Sequence, residues 1–151
     1  MNTPVKKEGF IQINIIVKDI EAAARAWAAL LGVEPPQVHV NHLEGGDNYT
    51  YRGKPVSCDL KVCNIDMGNF VIELHQPAGG ESSFQEYLDR HGNGVHHLGF
   101  EVGGDRDKII QELAAEGYDV NRTLGIYPGS SWTIVDSEDL LGVNLNIKPV
   151  R

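Results

Sequence analysis

Apolar and polar side chains alternate over residues 11–17, with Ile11, Ile13, Ile15 and Val17 on one face and Gln12 and Asn14 on the other. A period of two is that of a strand buried on one side. The pattern then turns helical. Ile20, Ala23, Ala24, Trp27, Leu30 and Leu31 form an apolar stripe, Asp19 stands at the N-cap and Gly32 supplies the stop. Pro35 and Pro36 bar continuation. Residues 37–77 read as strands and turns, with strands at 48–52 and 56–64 around Gly53-Lys54-Pro55, a turn at 66–69 and a strand at 70–75. A short helix is predicted over about 83–91, where Ser83 and Glu86 have capping-box spacing and Gly92 ends it.

Alternation returns over residues 95–102. Leu98, Phe100 and Val102 share one face and His97, Gly99 and Glu101 the other; His96 falls with Leu98 as a packing residue. Asp105 is the expected cap of another helix, which carries Ile109, Ile110 and Leu113 and stops at Gly117. Strands follow at 118–121, 132–136 and 143–148, with 125–131 a flexible loop positioned to cover a site. His39, His42 and His91 read as loop or helix-end residues.

The two halves repeat one grammar: strand, helix, then three strands. The opening strands align Gln12 with His97, and the closing strands align Glu73 with Asn146. Each of these strands has an apolar face for a helix and a polar face carrying Gln12 and Asn14, Glu73 and His75, His97 and Glu101, or Asn144 and Asn146. That polar face either meets water or lines the concave side of a curved sheet, where its groups converge on a ligand. The expected architecture is α+β, two βαβββ modules forming a curved mixed sheet around a single cup. It is one domain over 1–151, with module 1 at about 9–77, a linker helix at about 82–92 and module 2 at about 94–149.

Composition narrows the partners. A net charge of −8 without a basic stripe speaks against nucleic acid and anionic membranes. No run approaches the ~20 apolar residues of a membrane helix. Cys58 and Cys63 fall on opposite faces of one strand, so reduced, buried thiols are expected. With no apolar signal core after the polar start, the expected location is cytoplasmic.

The segment Gly94-Val95-His96-His97-Leu98-Gly99-Phe100-Glu101-Val102, preceded by Phe84-Gln85-Glu86-Tyr87-Leu88, resembles methylmalonyl-CoA epimerases. More broadly, residues 9–149 are similar to the glyoxalase, bleomycin-resistance and extradiol-dioxygenase (vicinal oxygen chelate) superfamily, as 13–21 and 71–77 also show. The resemblance implies a divalent metal ion (Zn, Ni, Co, Mn or Fe) held by two side chains per module, here Gln12, Glu73, His97 and Asn146. Gln12 stands where epimerases have histidine and some glyoxalase I enzymes glutamine; Asn146 stands where the family has glutamate. Asparagine is neutral and no base, so the set keeps one carboxylate and its hold on a cation is weakened.

The function so implied is a glyoxalase- or epimerase-like isomerase or lyase. It would act on a small carbonyl compound or acyl thioester by metal-assisted proton transfer, with Glu73 as proton carrier and His75 or Glu101 as alternative bases. The rival is a metal-free small-molecule binding protein on the same fold. Relatives of this kind commonly pair, so a homodimer is expected.

Overall fold

The computed structural model describes residues 1–45 and 48–150; Gly46 and Asp47, within the stretch expected to hold strands and turns, and Arg151, at the end of the expected domain, lie outside the described residues. Helix α1 (Ile20–Leu31) begins as its sequence dictates, with the Asp19 carboxylate accepting from the Ala22 N–H at 3.1 Å. It ends at Gly32, whose φ of 67° a β-carbon would resist. Ile20, Ala24 and Ala28 are its buried positions, while Leu30, on the predicted stripe, is 76% exposed. The inner side packs on Val17, Cys63, Ile65, Ile72 and Leu74. Each large aliphatic side chain removed from water there contributes roughly 1.5–3 kcal/mol.

The strands in chain order are β1 (Phe10–Ile16), β2 (His39–Leu43), β3 (Tyr49–Tyr51), β4 (Lys54–Pro55), β5 (Cys58–Asp66), β6 (Val71–Gly80), β7 (Gly94–Glu101), β8 (Asp119–Tyr127), β9 (Ser130–Asp136) and β10 (Asn144–Lys148). They form one curled mixed sheet in the order β2-β5-β6-β1-β7-β10-β9-β8-β3-β4, a half-barrel around a cup. The repeat is visible in the pairing. β1 runs parallel to β6 and β7 parallel to β10, and the antiparallel β1–β7 pair joins the halves. One hairpin breaks the symmetry. β3 and β4 belong to the first half in sequence, yet β3 pairs with β8 of the second. Its tight turn is Arg52-Gly53, both at positive φ, rather than Gly53-Lys54-Pro55.

The remaining helices are α2 (Ser83–His91), α3 (Arg106–Ala115) and the four-residue α4 (Glu138–Leu141), which the sequence pattern did not announce. The cap of α2 is Ser82, not Ser83: Ser82 Oγ accepts from the Gln85 N–H at 2.9 Å, whereas the buried Ser83 meets Thr123 Oγ1. Asp105 makes no side-chain cap for α3, because a 3-10 turn at Gly103–Asp105 leads into that helix. Residues 125–131 are no lid: β8 runs to Tyr127 and β9 resumes at Ser130, leaving a tight turn at Pro128-Gly129. His39 and His42 lie on the edge strand β2, whose largely exposed faces leave no alternation to read.

Three clusters share the interior. One lies under α1 and one, with Ile109, Leu113, Val135 and Ile147, under α3. The third gathers Ile16, Tyr49, Cys58, Leu60, Val62 and Phe84, so α2 packs apolar residues into the hollow of the sheet itself. Cys58 belongs to this cluster and Cys63 to the first; both are buried free thiols on opposite faces, as the strand period requires.

Candidate functional site

What remains open inside the half-barrel is a cavity of about 110 Å³ lined by Gln12, Glu73, His75, His97, Asn146 and Lys148, with Leu43, Leu60, Phe84 and Trp132 as apolar walls. The four residues paired by the repeat therefore share one cavity, and His75 joins them. Glu101 does not. It is exposed at the end of β7 and lines a separate hollow with Lys6, Glu8 and Asp105.

The floor depends on a glycine. Gln12 on β1 lies opposite Gly99 on β7, and a Cβ at Gly99 would come within 2.6 Å of Gln12 Oε1 and 2.9 Å of its Cβ. Gly99 thus lets the Gln12 side chain lie across β7. There Gln12 Oε1 is 3.3 Å from His97 Nε2 and accepts from Asn146 Nδ2 at 3.4 Å. Asn146 Oδ1 is buried and has no hydrogen-bond partner among the described residues.

A register shift between Asn14 and Ile15 against His97 and Val95 leaves His96 as an extra residue, a β-bulge. The bulge overturns strict alternation: His96 is not beside Leu98 on the helix face. It turns in with His97, its ring 4.9 Å from Phe84 and 5.3 Å from Tyr87 of α2. The two Nδ1 atoms lie 2.8 Å apart, so one of them carries the hydrogen the pair shares. Burial first, then the neighbouring charges of His75 and Arg122, pushes His96 down to about 3. Burial likewise holds His97 well below the usual imidazole value, helped by His96, His75 and Lys148. Both rings are neutral near pH 7.

Asn14 organises the other wall. Its Nδ2 donates to Glu73 Oε1 at 3.0 Å and contacts His75 Nδ1 at 3.0 Å. A donating amide makes His75 Nδ1 the acceptor, which puts that ring's hydrogen on Nε2, 3.5 Å from Glu73 Oε1. Burial lowers the pKa of His75 although Glu73 pulls it up. The Phe84 ring sits edge-on to His75 at 4.9 Å and 6.0 Å from Trp132, closing the apolar side. Sequence reasoning placed Asn14 on the polar face but gave it no role, and it gave none to Lys148 or Asn41, which both line the cavity. The signal was the two-residue step, from Gln12 to Asn14 and from Asn146 to Lys148.

A charged network holds α2 over this cup. Arg122, with 4% of its side chain exposed, donates to Glu86 at 2.8 Å and to Asp136. Glu86 also accepts from Arg52 at 2.7 Å and from the Tyr51 hydroxyl. Burial raises the Glu86 pKa, but the Tyr51 and Arg52 hydrogen bonds and the Arg122 charge outweigh it and hold the carboxyl below its ordinary value.

A half-barrel of paired βαβββ units around a polar cup defines the class. The model of the glyoxalase/bleomycin resistance protein/dioxygenase superfamily matches residues 11–135, and the chain belongs to that superfamily. Among solved structures it is similar to a hypothetical protein of Bacillus halodurans C-125, at 19% identity and TM-score 0.63, with 92% of this chain and 91% of that one covered. It is similar also to methylmalonyl-CoA epimerase of Mycobacterium tuberculosis, at 19% identity and TM-score 0.61, covering 95% and 88%. A mutant 4-hydroxymandelate synthase of Streptomyces coelicolor matches at 14% identity and TM-score 0.65, with 98% of this chain but 39% of that longer one covered. At these identities the likeness is one of fold. No curated protein matches the chain.

Members of the superfamily commonly use a divalent metal. Among the described residues no three His, Cys, Asp or Glu side chains are grouped to hold one. The set expected here has two such residues, Glu73 and His97, and two amides. The buried, partnerless Asn146 Oδ1 and the Gln12 oxygen beside His97 fit a cation by donor type. A single carboxylate makes the set a weak one.

Proposed function

We propose that the cup is the active site of an isomerase or lyase that moves a proton beside the carbonyl of a small compound or of the acyl end of a thioester. One observation carries this reading: Glu73 is the sole carboxylate among the described residues lining a cavity whose histidines are held neutral. A fixed base among neutral hydrogen-bonding groups is what enolisation of a carbonyl needs. Asn14 holds the Glu73 carboxylate in place, and Glu73 takes the proton from the carbon next to the carbonyl and returns it. Side-chain N–H groups of the floor, from Gln12, Asn146 or the neutral His97, face the oxygen on which negative charge develops. Phe84 and Trp132 exclude water from that face. Gln12, Glu73, His97 and Asn146 are the residues that would hold a divalent ion, which when bound would polarise the carbonyl as a Lewis acid.

Size supports a small reacting group. At about 110 Å³ the cavity is well below the ~300–1,000 Å³ of sites for drug-sized ligands, so an acyl-CoA would place its acyl end there and no more. The similarity to an enzyme named for methylmalonyl-CoA is consistent with that class. A second reading, a binding protein without turnover, draws on the bonds that Gln12, His97 and Asn146 make among themselves, which suit amides that read a ligand. The two buried free thiols support a reducing, cytoplasmic setting, and we take the chain to pair as a homodimer.

The test is exchange of carbon-bound hydrogen for deuterium in 2-oxo compounds and acyl-CoA thioesters, followed by NMR, with metal content measured on the same untagged protein and on His97→Ala. Exchange is expected, falling at least ~10²-fold in Glu73→Gln. A panel without exchange, or a Glu73→Gln variant as active as the parent, sinks the proposal. Metal that is present in the parent and lost in His97→Ala assigns the ion to the floor.

A further inference from the structure

Among the described residues two charged side chains line the cup, and the proposed reaction uses one of them. The other, Lys148, ends β10 two positions after Asn146, so the strand period turns both side chains inward. Other cations of the chain are occupied: Arg52, Arg106 and Arg122 each have a carboxylate within 4.0 Å. Among the described residues no ion pair is formed by Lys148. Glu101, its register partner on β7, lines the separate hollow instead. On a chain of net charge −8, Lys148 is thus a half-buried cation of the cavity lining with no carboxylate within 4.0 Å among the described residues. Its field reaches the floor, where it is one of the charges that disfavour protonation of His97.

Lys148 and Glu73 line the cavity from different strands. Their strands β10 and β6 are separated by β7 and β1 in a sheet that curls around the cavity. A ligand that shows an acidic C–H to Glu73 therefore presents its other end toward the lysine. We infer that the cup selects carbonyl compounds bearing a carboxylate, which pairs with Lys148 while Glu73 faces the carbon beside the carbonyl. This rests on the reading of the cup as a carbonyl site and adds the charge of what it takes. The room, about 110 Å³, suits a short 2-oxo acid.

The experiment compares pyruvate and 2-oxobutyrate with methyl pyruvate and butane-2,3-dione, which keep the carbonyl without the charge. Binding is measured by calorimetry and ligand-observed NMR at fixed ionic strength for the parent chain, Lys148→Met and Lys148→Arg. The acids are expected to bind at least about tenfold tighter than the neutral compounds, the range of a charge-assisted hydrogen bond. Lys148→Met should remove that preference and Lys148→Arg keep it. Equal binding of acids and neutral compounds to the parent chain overturns the inference, and that arm needs no variant to fold. So does unchanged acid binding in a folded Lys148→Met, or no saturable acid binding up to about 10 mM. Deuterium exchange of the same compounds separates the two ideas. Acids that bind through Lys148 without exchanging keep the charge preference and sink the proton-transfer reading; exchange of neutral compounds bound as well as acids does the reverse.

Discussion

Lowering the pH from 7.5 to 5.5 should destabilise this protein through the histidines packed around Phe84. His96 and His97 are 0% and 1% exposed and His75 is 8% exposed, and burial lowers the pKa of all three. For a group whose folded pKa is depressed by burial of its neutral form, the unfolded chain takes up the proton first. Stability is then complete above the unfolded value near 6.5 and is lost as pH falls toward the folded value. His96, at about 3 in the fold, remains neutral at pH 5.5 while its unfolded counterpart is about nine-tenths protonated, a cost of roughly 1.4 kcal/mol. His97 and His75 act in the same direction and add to this loss. For a chain of this size the drop in Tm is ~3–5 °C from His96 alone and larger with the other two rings. Two groups run otherwise: exposed His42, raised chiefly by its bond to Asp59, opposes the trend under solvent screening, and Glu86 gives way only below its ordinary carboxylate range. Thermal melts at pH 7.5, 6.5 and 5.5 and constant ionic strength measure the slope, and a His96→Gln variant should remove about one proton's share of it. A Tm that stays constant within about 1 °C, or rises, would refute the neutral histidine cluster.

Two further substitutions probe the frame. Gly99→Ala should cost about 1–3 kcal/mol in urea melts, because the new Cβ meets the Gln12 side chain, and Gln12→Ala should recover part of that loss; strictly additive effects would show that the two do not touch. Glu86→Ala strips the buried Arg122 of one partner and should cost about 3 kcal/mol or more, against less than about 1 for Arg90→Ala at the 56% exposed end of the same network; equal losses would remove the network's role in holding α2.

The elements that position the cup were legible wherever burial is one-sided. β1 and the body of β7 alternate because one face lies under a helix, and the repeat that aligned Gln12 with His97 and Glu73 with Asn146 brought all four to one cavity. Edge strand β2 stayed hidden because His39, Val40, Asn41 and His42 are all exposed and carry no period. His96 was assigned to the wrong face because a single bulge resets the alternation, and no local residue preference marks it. Phe84 reads as an ordinary helix residue; that it fills the hollow follows from the Glu86–Arg122 tether, a contact between residues 36 positions apart.

The hairpin that crosses between halves also sets a clock on synthesis. Among the described residues the long-range strand partner of β3 is β8, so the pairing of Tyr49–Tyr51 must wait for residues roughly 70 positions further along the chain. At the ~5–20 residues per second of translation, that interval is roughly 4–14 s. During it the Tyr49 ring, destined for 1% exposure in the cup, has neither Trp132 nor β8 to cover it. The nascent first half can therefore close around α1, but the cup acquires its wall only when the second half arrives.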